Sequence, residues 1–195
     1  MQIEKVELRL VRLRLVRPFE TSFGRVDERR IVVVRVDGGG ATGWGECVAD
    51  VDPFYSAETT RTCWDVLETY LAPAVLGRPI GHPRELAGAM RHVRGHHMAK
   101  AALEMAGWDL AARQAGVPLA TMLGGTREAI ASGVSIGIQP SIAALVERVA
   151  AELEAGYRRV KIKIKPGWDV EPVRALRDRI GDVPLMVDAN AAYTL

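Results

Sequence analysis

A chain of 195 residues, 48% apolar and 26% charged, has ordinary globular composition and can bury a sizeable core in one large or two small domains. Its formal net charge of +2 is scattered, and even the arginines between 12 and 17 alternate with Val and Leu as on a strand, so nothing marks a nucleic-acid partner. The opening Met1-Gln2-Ile3-Glu4-Lys5 lacks the apolar core of a signal peptide, and no apolar run approaches the roughly 20 residues that span a bilayer, so a cytosolic protein with no membrane partner is expected.

Residues 2–14 alternate as a long strand, with Ile3, Val6, Leu8, Leu10 and Leu13 as its apolar members. Arg17-Pro18-Phe19-Glu20-Thr21-Ser22-Phe23-Gly24 then brings turn residues and two aromatics, which predicts a loop with something to contact. Strands are predicted over 30–36 and 41–48, around Asp37-Gly38-Gly39-Gly40, completing a three-stranded meander. Gly38-x-Gly40-x-x-Gly43 formally matches a dinucleotide fingerprint, but that motif needs a helix N-terminus after it, and Trp44-Gly45-Glu46-Cys47-Val48 continues as strand. The glycines read as hairpin turn chemistry. Cys47 and Cys63 have neither disulfide-framework numbers nor zinc spacing, and are expected as buried free thiols.

A second irregular loop covers 49–55, and Ser56 predicts the cap of a helix reaching about residue 76, with Trp64, Leu67, Leu71 and Val75 at helical spacing. A further helix is predicted over 83–94, closing an α+β domain at 1–95. His92 and His96 are four apart, but Gly95 interrupts the helix and no third ligand is near, so they read as satisfied or solvated histidines. Residues 97–115 predict a long Ala-rich helix, and 118–123 a short one ended by Gly124-Gly125.

From residue 132 the pattern becomes strand, helix, strand, helix, strand, over 132–138, 141–153, 160–165, 170–180 and 185–190. A doubly wound sheet or the opening of a (β/α) barrel would occupy 96–195. Strict alternation puts Val160, Ile162 and Ile164 on one face of the middle strand and Lys161, Lys163 and Lys165 on the other. The whole chain has only five lysines. In a parallel sheet covered on both faces such a row points into a barrel or crevice, where repulsion and desolvation favour the neutral amine and make it a candidate base. Asp188 ends the next strand, where a carboxylate either ligates a hard cation or caps the following helix.

Lys161-Ile162-Lys163 and Val187-Asp188-Ala189-Asn190, behind a domain containing Pro18-Phe19-Glu20-Thr21-Ser22-Phe23-Gly24 and Gly43-Trp44-Gly45-Glu46-Cys47, resemble the enolase superfamily. Within it the chain is similar to the o-succinylbenzoate synthase and N-acylamino acid racemase family, including at Gly95-His96-His97-Met98-Ala99-Lys100 and Pro166-Gly167-Trp168-Asp169-Val170. The resemblance implies an α+β capping domain followed by the first strands and helices of a (β/α)₇β barrel, with a Mg²⁺ ion stabilising an enediolate. It makes Lys163 the acid/base, Lys161 its electrostatic partner and Asp188 the first metal ligand. Ser135 and Asn190 would line the substrate site, and the loops carrying Phe19 and Phe23 and covering 49–55 would close over it.

The implied reaction is dehydration of a cyclohexadiene carboxylate to o-succinylbenzoate in menaquinone synthesis, a lyase activity on a small-molecule carboxylate, by a homo-oligomeric parent. Racemisation of N-acylamino acids is the rival. Two departures stand out: Lys165 extends the family's lysine pair, and a barrel needs about eight strands where three are predicted. The expectation is therefore an N-terminal piece, truncated after the third barrel strand, carrying half an active site and inactive alone. A hypothesis of another class is a non-catalytic assembly module that pairs through its exposed strand edges.

Overall fold

In the computed structural model, which describes residues 1–194, the alternating N-terminal residues form β1 (Lys5–Glu20), followed by β2 (Arg25–Gly38) and β3 (Ala41–Cys47) in the sheet order β1-β2-β3. β1 runs straight through Pro18-Phe19-Glu20, where a loop was expected. As an edge strand it tolerates a proline, which has no N–H to give to a ladder. Only residues 21–24 turn, closed by the Thr21 N–H and hydroxyl donating to Gly24 O at 2.8 and 3.1 Å. At the next hairpin Gly38 pairs with Ala41, leaving Gly39 and Gly40 at φ 54° and 77° in the two-residue loop. Positive φ at both positions is what a tight hairpin demands, so the glycine run is turn chemistry.

The first helix starts later than predicted. Its cap is Thr59, not Ser56: the Thr59 side chain accepts from the Thr62 N–H at 3.2 Å while the Thr62 hydroxyl accepts from the Thr59 N–H at 2.9 Å. Ser56 donates instead to Glu58 O. α1 (Thr60–Val66) then widens into a π-helical stretch, Leu67–Leu71, before α2 (Ala72–Val75). Pro73 lies just beyond that stretch, and a helix meeting a proline loses one hydrogen bond and meets ring clash one turn earlier. The helix expected over 83–94 shrinks to α3 (Glu85–Ala89), after which Arg91 and Val93 bond only three residues back, to Gly88 and Met90.

α4 (His97–Ala115) is the central helix of the first unit, followed by the short α5 (Leu119–Met122). Glycines on β3 let it approach. A Cβ on Gly43 would sit 2.2 Å from Ala106 O, and one on Gly45 would sit 2.1 Å from Ala102 O. Around this contact Ile3, Val34, Leu67, Leu71, Leu103 and Leu110 are fully buried. Cys47 and Cys63 are buried free thiols, with desolvation pushing the Cys63 thiol pKa well up.

The compact units do not divide at residue 95. One comprises Met1–Leu13 and Arg29–Thr126, the other Arg14–Glu28 and Arg127–Leu195. The boundary moves because α4 packs on β3, and because the long β1 and β2 carry their outer ends into the second unit.

That second unit holds β4 (Gly133–Ile136), α6 (Ile142–Glu154), β5 (Arg159–Lys163), α7 (Val170–Ile180) and β6 (Leu185–Asp188), with its three strands parallel in the order β4-β5-β6. Val160, Ile162, Leu145, Val149 and Leu176 form its core, so one face of the middle strand is apolar as the alternation predicted. β5 ends at Lys163. Lys165 lies beyond it, in a tight turn where it exchanges backbone hydrogen bonds with Trp168, so the expected row of three strand lysines is a strand pair plus a turn lysine. Among the described residues no helix is long and apolar enough to cross a membrane.

Candidate active site

Strand register builds the site. In the parallel ladder Ser135 lies beside Lys161, and Lys163 beside Asp188, so these side chains project from one face of neighbouring strands. Lys163 Nζ lies 2.9 Å from Asp188 Oδ2, and Lys161 Nζ 3.0 Å from the same oxygen. Two ammonium groups thus share one carboxylate oxygen. Lys163 is 8% exposed and Lys161 36%, which makes Lys163 the desolvated member of the pair.

Just past β6 the backbone turns back on itself, with Asn190 at φ 48° and Ala191 at φ 59°. Asn tolerates this left-handed conformation better than most residues. The turn lets the Asn190 N–H donate to Asp188 Oδ1 at 2.9 Å, while Asn190 Oδ1 accepts from Lys163 at 2.6 Å. Lys163, then Lys161, then the Asn190 N–H hold the Asp188 carboxyl far below the usual carboxylate range. Asp188 is thus a charged group that faces both lysines through Oδ2 and accepts from the backbone two residues on through Oδ1.

Ser135 is exposed and, with Phe19, Glu20, Gln139, Arg17 and Arg148, lines a recess of about 430 Å³. Phe23 is half exposed in the hairpin turn. The structure thus brings together Lys161, Lys163, Asp188 and Asn190, and sets Ser135 and Phe19 on a recess in the same unit. Glu20 and Ser22 were missed by sequence reasoning, which read their segment as turn residues carrying two aromatics and gave site roles only to Phe19 and Phe23. Lys165 Nζ lies 3.2 Å from Glu20 Oε1, and the Ser22 hydroxyl donates to Ala189 O at 2.7 Å. The signal for the first contact was the out-of-pattern Lys165.

Asp188 and Asn190 offer oxygen donors, the kind that suits a hard cation. The donor type fits Mg²⁺, with Asp188 as the single carboxylate at this position. Among the described residues no group of three or more His, Cys, Asp or Glu side chains converges as a complete metal cage.

The family model for the mandelate racemase / muconate lactonizing enzyme N-terminal domain matches residues 5–124, and the enolase C-terminal domain-like model matches residues 144–195. An o-succinylbenzoate synthase from Geobacillus stearothermophilus is 50% identical over 99% of this chain and 52% of its own length. An N-succinylamino acid racemase from Thermus thermophilus is 47% identical over 100% of this chain and 53% of its own. A crystal structure of an enolase superfamily member from Listeria innocua superposes with a TM-score of 0.92 at 36% identity, covering 100% of this chain and 53% of that one. The chain spans about half the length of the curated relatives it matches. With both domain models matched along the chain, and a lysine pair on one strand facing an aspartate at the end of the next, this protein belongs to the mandelate racemase / muconate lactonizing enzyme family of the enolase superfamily.

Proposed function

We propose that the enzyme carrying these residues abstracts a proton α to a carboxylate and works as an o-succinylbenzoate synthase, dehydrating a cyclohexadiene carboxylate. The observation that carries the reading is the convergence of Lys161 and Lys163 on Asp188 at adjoining strand ends. Racemisation of N-acylamino acids is the second reading, favoured by the 47% identity to a protein of that name along the whole chain.

Lys163 is the acid/base. Its burial removes competing water, and Asn190 Oδ1 aims its amine. Lys161, more exposed and on the same side of the strand, keeps a positive charge beside the reacting carboxylate. Bound at Asp188, a Mg²⁺ ion would supply charge stabilisation for the substrate carboxylate as the α proton leaves. A single carboxylate holds such an ion weakly, so residues 1–195 by themselves are proposed to be inactive, with further oxygen ligands supplied elsewhere in the assembled enzyme. Ser135 and Phe19 would hold the body of the substrate in their recess.

The test compares both reactions in the purified enzyme and follows α-proton exchange in heavy water. Lys163→Ala should cut dehydration and exchange by about 10³-fold, the scale of a lost general base. Near wild-type exchange in that variant would overturn the assignment, and a higher kcat/KM for N-succinylamino acids than for the cyclohexadiene would select the second reading.

A further inference from the structure

We propose that Glu20 and Lys165 are positioning residues that latch the tip of the β1–β2 hairpin across the ends of all three parallel strands. Their effect on turnover rests on the function proposed above. Three separate ties hold the tip. Glu20 O accepts from the Ile138 N–H at 2.9 Å, two residues beyond β4. The Glu20 carboxylate meets Lys165 at 3.2 Å, two residues beyond β5, and the Ser22 hydroxyl meets Ala189 O at 2.7 Å, one residue beyond β6.

Two of the ties land next to a site residue. Lys165 is two positions from Lys163, and Ala189 lies between Asp188 and Asn190. The contact is also close: a Cβ on Gly137 would sit 2.9 Å from Glu20 O, so the hairpin lies directly on the backbone after β4. The tip carries Phe19, whose ring borders the recess, so its seating sets one wall of the space offered to a substrate.

The ion pair is the tie made between two side chains. With side chains 40% and 35% exposed it contributes little to global stability, and its consequence is orientation. This also gives Lys165 a task separate from proton transfer: its ammonium is committed to the hairpin and not to the Asp188 oxygen that Lys161 and Lys163 share.

The test measures amide hydrogen exchange in the unliganded enzyme, which needs no substrate, and kinetics beside it. In Lys165→Met and in Glu20→Gln, exchange over residues 18–24 and 137–139 should rise about threefold while α6 is unchanged, the scale set by one partly exposed ion pair. KM should rise about fivefold, more than kcat falls, and Lys165→Arg should restore both readings. Unchanged exchange at the hairpin in both loss variants would overturn the latch, as would an equal rise in α6 or failure of Lys165→Arg to rescue. Because exchange is read without turnover, loss of the latch and loss of the proposed reaction give different results.

Discussion

Lys163 and Asp188 lie side by side in register on parallel strands, and their charged atoms meet at 2.9 Å. Lys161, the more exposed of the two lysines, reaches the same carboxylate oxygen. One anion therefore makes it possible for two lysines to occupy alternate positions of a strand, one of them almost entirely removed from water.

Asp188→Asn removes that anion and leaves Lys163 facing only neutral amide oxygens, that of the new side chain and that of Asn190. Breaking a partly buried pair in this way should cost about 2 kcal/mol in urea unfolding at neutral pH. The folded carboxyl has a depressed pKa, so its stabilisation is present above the unfolded value of about 3.9 and fades as pH falls through it toward the folded one. The gap between wild type and variant should accordingly narrow below about pH 4. Equal stability at pH 7 would contradict the shared-anion account.

Gly45→Ala tests the seating of α4 on β3. With a new methyl 2.1 Å from Ala102 O and 2.9 Å from Ala106 N, both backbone atoms, helix and strand must separate. A loss of about 3 kcal/mol is expected by urea or thermal unfolding. Gly24→Ala is the control, since nothing lies within 4 Å of its new methyl; it should fall within about 0.5 kcal/mol of wild type.

Glu58→Gln probes the start of α4. Burial opposes the Glu58 charge, but hydrogen bonds from the Met98 and Ala99 N–H groups and the Cys63 thiol outweigh it and lower the carboxyl pKa. The carboxylate caps the first turn of a 19-residue helix whose own cap position, His96, makes no side-chain bond. Replacing it should cost about 1 kcal/mol at pH 7. As the folded pKa is lowered, this contribution is lost when pH falls from the unfolded value of about 4.3 toward the folded one, so the variant should unfold with a shallower acid slope. A parallel slope would remove Glu58 from the capping role.

Several features were legible because they depend on local periodicity. Alternation marked β5 and its apolar face, the glycine run marked a hairpin, and the strand and helix spacing after residue 132 marked a parallel sheet. Element ends were less legible where two local signals compete. Ser56 reads as the cap until hydrogen bonds place it at Thr59, and Pro18 reads as a turn residue until β1 proves to be an edge strand.

The sequence by itself determined which residue types stand at the strand ends: two lysines two apart, an aspartate, an asparagine, and a third lysine just beyond. Tertiary structure decided their partners, because distance along the chain carries no information about strand register or about where a distant hairpin comes to rest. Register, a property of hydrogen bonding between strands, placed Asp188 beside Lys163, and the left-handed turn at Asn190 brought its amide oxygen to the same amine. Glu20 lies 145 residues from Lys165 in the chain, and only the packing of the hairpin on the strand ends separates that lysine from the pair at Asp188.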